Sequence, residues 1–169
     1  MKINYRKLKT VLSVLLVIAV SAGVAYFMRP NDSKRIQKQF EKLCLSVEKS
    51  SGENPTAGAF KTLSFSYMCT DSVRIDLRGA PFQGEMSVEE LTSHLARARG
   101  MCDSIVITPL ECEVELTTPT RANAICVVRA KINALDSSYD EVRHFQARWQ
   151  KIDKTWKITA VIDDEILVK

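Results

Sequence analysis

The sequence predicts an α+β domain behind one membrane-spanning segment. Three observations carry that reading. Thr10–Met28 is a run without a single charge, preceded by Lys2, Arg6, Lys7 and Lys9. Amphipathic helical patterns then occupy much of residues 33–100. Long stretches of period-two alternation fill the rest of the chain.

The uncharged run is 19 residues long, which at about 1.5 Å per residue matches the hydrocarbon thickness of a bilayer. Tyr26 and Phe27 close it where aromatic side chains favour the interface. An uncleaved anchor uses the whole run. A signal peptide would use Val11–Val20 and be cut after Ala22 or Ala25. Apolarity continues past both cuts, which favours the anchor. The chain therefore divides into a basic tail (1–9), the membrane segment (10–28), a linker (29–32) and one domain (33–169). A short basic tail before an apolar core is the pattern of export. The expected location is the cytoplasmic membrane with the domain on its outer side, or secretion if the leader is cut.

Removing the leader changes the electrostatics. Taking its five basic residues from the 24 in the chain leaves 19 against 20 acidic residues. A near-neutral domain lacks the basic face that phosphate neutralisation needs, so nucleic acid is excluded as a partner. The membrane, reached through residues 10–28, is the expected contact. With two histidines and no C-x-x-C spacing, the sequence predicts no metal site and no cofactor.

Ile36, Phe40, Leu43, Cys44 and Val47 mark the inner face of a first helix over about 33–50. Asn54-Pro55-Thr56 opens a second over about 57–68, carrying Phe60, Leu63 and Tyr67. Asp71–Arg78 alternates as a half-buried strand, with Val73, Ile75 and Leu77 inward, and residues 79–84 form a loop. Ser87-Val88-Glu89-Glu90 is a capping box for a third helix, with Gly100 as its left-handed stop. Strands follow over 104–117 and 121–135, and their matched apolar faces set Cys112 opposite or diagonal to Cys126. Residues 141–152 and 155–166 close a hairpin around Asp153-Lys154. A regular register pairs Trp149 with Ile158, Ala147 with Ala160 and Phe145 with Ile162, and sets His144 opposite Asp163 on the other face.

The stretch Ser72–Leu77, then Gly79 and Pro81-Phe82-Gln83-Gly84 before a capped helix, resembles the nuclear transport factor 2-like superfamily, which includes SnoaL-like and ketosteroid isomerase-like members. The segment Arg148–Ile158 resembles that family's final hairpin. The resemblance spans about residues 33–165. It implies a strongly bent antiparallel sheet wrapped on about three helices, a cystatin-like cone with an internal pocket, and dimers through the sheet. Such folds host many functions.

Candidate residues follow from residue type and placement. Asp76 matches the position of a general base in ketosteroid isomerase-like members, yet it alternates with Arg74 and Arg78. His144 and Asp163 are a candidate base and orienting carboxylate. Tyr67, Phe145, Trp149 and Trp156 are candidate pocket-lining residues for a small apolar ligand, or core. Cys112 and Cys126 are a candidate disulfide, or two core thiols. With no acid–base set standing out, the sequence favours a non-catalytic module that binds a small apolar ligand or a protein partner. The alternative is a small-molecule isomerase, dehydratase or cyclase with Asp76 as base.

Overall fold

A computed structural model describes residues 31–78, 83–134 and 137–163. The expected tail and membrane segment lie outside the described residues. Among the described residues no helix is long and apolar enough to cross a membrane.

Three helices and six strands follow one another as α1 (Asp32–Val47), α2 (Pro55–Tyr67), β1 (Cys69–Asp76), β2 (Gly84–Ser87), α3 (Val88–Met101), β3 (Cys102–Thr118), β4 (Arg121–Ala134), β5 (Ser137–Ile152) and β6 (Thr155–Asp163). The strands form one curved sheet in the order β2-β1-β6-β5-β4-β3. This is the α+β architecture expected from sequence, with two differences. A short strand, β2, follows the 79–82 segment, and the β1–β6 pair is parallel whereas the others are antiparallel.

Helix α1 lays Ile36, Phe40 and Cys44 on the sheet, one every fourth residue as the helical repeat requires. They meet Val73, Ile75, Ala124, Cys126, Ala147, Trp149, Trp156 and Ile158 in a single core. The β5–β6 turn places Asp153 and Lys154 at φ 48° and 66°, the twist-matched geometry of a two-residue hairpin. Helix α2 departs from expectation. Asn54 caps it by accepting from the Thr56 N–H at 2.8 Å, yet it buries no side chain, and Phe60, Leu63 and Tyr67 face outward.

Helix α3 opens on the expected capping box, with Ser87 and Glu90 each accepting from the other's backbone N–H. It does not stop at Gly100, which lies inside the helix. The chain instead passes directly into β3 through extended Cys102. The carbonyls left at the end of α1 are taken by Arg99, whose guanidinium donates to Ser46, Val47 and Glu48 and pairs with the buried Glu53 carboxylate. In return Lys49 Nζ donates to the Arg99 and Cys102 carbonyls at 2.8 and 2.6 Å. The Lys49 backbone then pairs with Ile105 of β3. The two helix ends thus cap each other.

Burial opposes ionisation of Glu53, but hydrogen bonds and charge from Lys61 and Arg99 hold its carboxyl below the ordinary value of 4.5. A folded-state value below the unfolded one contributes stability above about pH 4.5, which is lost as pH falls through the lower folded value. Arg99→Met strands the Ser46 and Val47 carbonyls and leaves Glu53 and the Glu48 carbonyl to Lys61 alone, and is expected to cost about 1–3 kcal/mol in chemical denaturation at pH 7. Glu53→Gln is expected to flatten the acid limb of the stability–pH curve measured the same way.

Candidate active site

The β5–β6 register decides which groups reach the helix-covered face. Trp149 pairs with Ile158, as the sequence predicts. Arg148 pairs with Ala160, so Thr159 is left over as a β-bulge. Beyond the bulge the pairing advances by one residue, giving Ala147 with Val161 and Phe145 with Asp163. The expected pairing of His144 with Asp163 is therefore corrected. Since a one-residue slip exchanges the two faces of a strand, Asp163 turns onto the face that carries Phe145. That face is the covered one, because the Phe145 ring meets Phe40 of α1 edge-on at 6.0 Å between centroids.

Asp163 lines a cleft of about 320 Å³ together with Leu77, Arg78, Val128, Arg143, His144 and Phe145. One wall is apolar. Its charged rim holds two guanidiniums and the carboxylate. The Asp163 side chain is 18% exposed and accepts from the Arg78 backbone N–H at 2.6 Å, with Arg78 Nε at 3.9 Å. These contacts fix the carboxylate and leave it partly desolvated, which suits a general base. Arg143 is held at the rim by Glu141 at 3.0 Å and by the Arg78 carbonyl at 3.4 Å. His144 borders the cleft, but as the neighbour of Phe145 on β5 its side chain alternates to the opposite face, so the bulge separates it from Asp163. Leu77, Val128 and Arg143 gave no sign in the sequence, because only the meeting of three strands gathers them.

Asp76 sits elsewhere. It pairs with Ile162 on the face opposite Val73 and Ile75, its side chain 48% exposed and 3.5 Å from the Arg74 guanidinium. An open, ion-paired carboxylate on that face is not in an internal pocket. Trp149 and Trp156 lie in the core, 2% and 3% exposed. Trp156 donates its indole N–H to Asp32 at 3.1 Å, while the buried Trp149 N–H has no partner among the described residues. Tyr67 stands outward on α2. Cys112 pairs directly with Cys126, and both are free thiols. Among the described residues no three His, Cys, Asp or Glu side chains gather as a metal requires.

A larger cleft of about 690 Å³ separates α2 from α3. Its ionisable members, Lys49, Glu53 and Arg99, are all spent on the helix-end contacts, so none is placed to exchange a proton with a ligand.

No family model matches the sequence, and no curated relative matches it. The comparison with solved structures is informative. A protein assigned as a scytalone dehydratase from Novosphingobium aromaticivorans superposes with a TM-score of 0.61 at 13% identity, over 78% of this chain and 81% of that one. A protein assigned as an NTF2-like dehydratase from Streptomyces avermitilis gives 0.62 at 11% identity, over 81% and 97%. The domain has the nuclear transport factor 2-like fold. A type 2 hexachlorocyclohexane dehydrochlorinase gives 0.60 at 12% identity, over 78% of this chain and 82% of that one. The expectation of a non-catalytic module is corrected by the dehydratase and dehydrochlorinase names that these neighbours carry, which fall on the side of the catalytic alternative. That expectation rested on the lack of an acid–base set in the sequence, where the bulge at Thr159 leaves no mark. Within this nuclear transport factor 2-like domain the Asp163 cleft opens at the edge of the helix-covered face.

Burial opposes ionisation of Asp32, but hydrogen bonds from Lys151 and Trp156 hold its carboxyl below the ordinary 3.8. Trp156→Phe removes one of those charge-assisted bonds. It is expected to cost about 1.5–3 kcal/mol at pH 7, and less once Asp32 is protonated at low pH, as read by denaturation at both pH values.

Proposed function

We propose that this protein is a small-molecule lyase or isomerase that works by acid–base chemistry in the Asp163 cleft. The observation that carries the reading is a partly desolvated carboxylate turned onto the helix-covered face beside two arginines and an apolar wall. Dehydration and dehydrochlorination, the reactions in the neighbours' names, both remove a proton from carbon and a leaving group from the adjacent carbon. Asp163 takes the proton from carbon. The electron pair of that C–H bond becomes the new double bond, and the leaving group departs with its own bonding pair. Where the leaving group is hydroxide, solvent at the open side of the cleft supplies the proton that makes it water. Arg78 and Arg143 face the charge that develops on a carbonyl oxygen of the substrate. A cleft of about 320 Å³ is at the small end of ligand sites, which suits a single-ring substrate.

The test is elimination from β-hydroxy cyclic ketones and halogenated rings, followed by ultraviolet absorbance or halide release. Asp163→Asn keeps an acceptor for the Arg78 N–H and is expected to lower kcat/KM by about 10²–10⁴. Asp76→Asn is expected to leave kcat/KM within the error of the wild type. The reverse pattern would move the base to Asp76 and overturn the assignment. Absence of turnover across both substrate classes would remove the lyase reading.

A further inference from the structure

Cys112 of β3 and Cys126 of β4 are directly opposite in the antiparallel register, with their sulfurs 3.4 Å apart. Opposed residues in such a pair have Cα atoms about 4.5–5.5 Å apart, inside the range that a disulfide spans. The two thiols differ in access. Cys126 is fully buried. Cys112 is half-buried and lines a surface cleft of about 200 Å³ with Gln37, Phe40, Glu41, Pro109, Leu110 and Glu111. Cys44, the third thiol of this part of the core, is buried. Burial pushes it up to about 12.

The chemistry of the pair is polarised in the same sense. The hydrogen bond between the two sulfurs holds the Cys112 thiol below its ordinary value, against burial and the nearby Glu41. The same contact, together with burial, pushes Cys126 upward. The thiolate therefore forms on the sulfur that solvent can reach, and the thiolate is the nucleophile. The lining of the cleft contains two carboxylates, Glu41 and Glu111, and no Lys, Arg or His. That charge repels anionic reagents and attracts cations.

We propose that Cys112 and Cys126 form a dithiol–disulfide couple that reduces small cationic disulfides, with Cys112 as the attacking thiol and Cys126 as the resolving thiol. The Cys112 thiolate attacks one sulfur of the reagent. A mixed disulfide forms and the first thiolate leaves. Cys126 then gives up its proton to that thiolate or to solvent and attacks the Cys112 sulfur, expelling the second thiolate. The protein loses two protons and two electrons, and one disulfide takes them up to become two thiols.

The experiment uses the full chain, reduced and then freed of reductant, with cystamine as the cationic disulfide and 3,3′-dithiodipropionate as the anionic one. A Cys102→Ser background removes the other half-buried thiol. Intact mass and peptide mapping are the readouts. The expected product is a Cys112–Cys126 cross-link without a retained adduct, formed at least about tenfold faster with cystamine than with the dianion. Cys126→Ser is expected to stop at a cystamine adduct on Cys112, and Glu41→Gln to narrow the ratio between the two reagents. Peptide mapping of the protein with both thiols intact needs neither substitution. A stable adduct there, a cross-link involving Cys44, or equal rates with both reagents would overturn the proposal.

Discussion

The reciprocal capping of α1 and α3 is the contact on which the rest of the domain depends. Arg99 lies on α3 and serves the carbonyls ending α1, while Lys49 follows α1 and serves those ending α3. Neither helix end can shift without stranding the other's acceptors, and a buried polar group left unpaired is expensive. Glu53 neutralises Arg99 from the start of α2, so all three helices meet at one charge balance. The Lys49–Ile105 bridge then carries the geometry onto β3. Phe40 is positioned by this frame, and through Phe40 the ring of Phe145 that walls the Asp163 cleft.

The cleft depends equally on a defect in the sheet. Without the bulge at Thr159, β6 would present Ile162 beside Phe145 and turn Asp163 outward. The bulge is anchored where Thr159 Oγ1 donates to the Arg148 carbonyl at 3.2 Å. One surplus residue thus converts an apolar row into Asp163, Phe145, Cys126 and Cys112, read across β6, β5, β4 and β3. The candidate base and the thiol pair share that row, four strands wide, yet they open to solvent through different clefts.

Much of the fold was legible because its signals are local. Ser87 and Glu90 announce a helix start through backbone hydrogen bonds three residues apart. Alternation in Arg121–Ala134 leaves one face for Ala122, Ala124, Cys126 and Val128. The sequence named Asp163 and Phe145 as candidates but not that they share a face, and the reason is specific. Ala160, Val161 and Ile162 are consecutive apolar residues, so the period-two phase of β6 is lost just where the bulge resets it. Arg99 was missed on similar grounds. Its partners lie 46–53 residues away, and nothing near it in sequence distinguishes it from Arg97. Parallel pairing of β1 with β6 also joins segments too distant for local patterning to connect.

Strand β3 ends the sheet order, and among the described residues only Lys49 pairs with its outer edge through the backbone, while Gln37 and Glu48 side chains take the Cys112 carbonyl and the Ile107 N–H. The rest of a 17-residue border is a template on which other chains can polymerise. Two features of β3 work against that. Pro109 lacks an N–H to offer, and the pairing around it is irregular, which breaks the flatness a second strand would need. Glu111, Glu113 and Glu115 alternate along the same stretch, so a second copy laid against it in register would set carboxylates beside carboxylates. This border resists fibre growth through its own charge and shape.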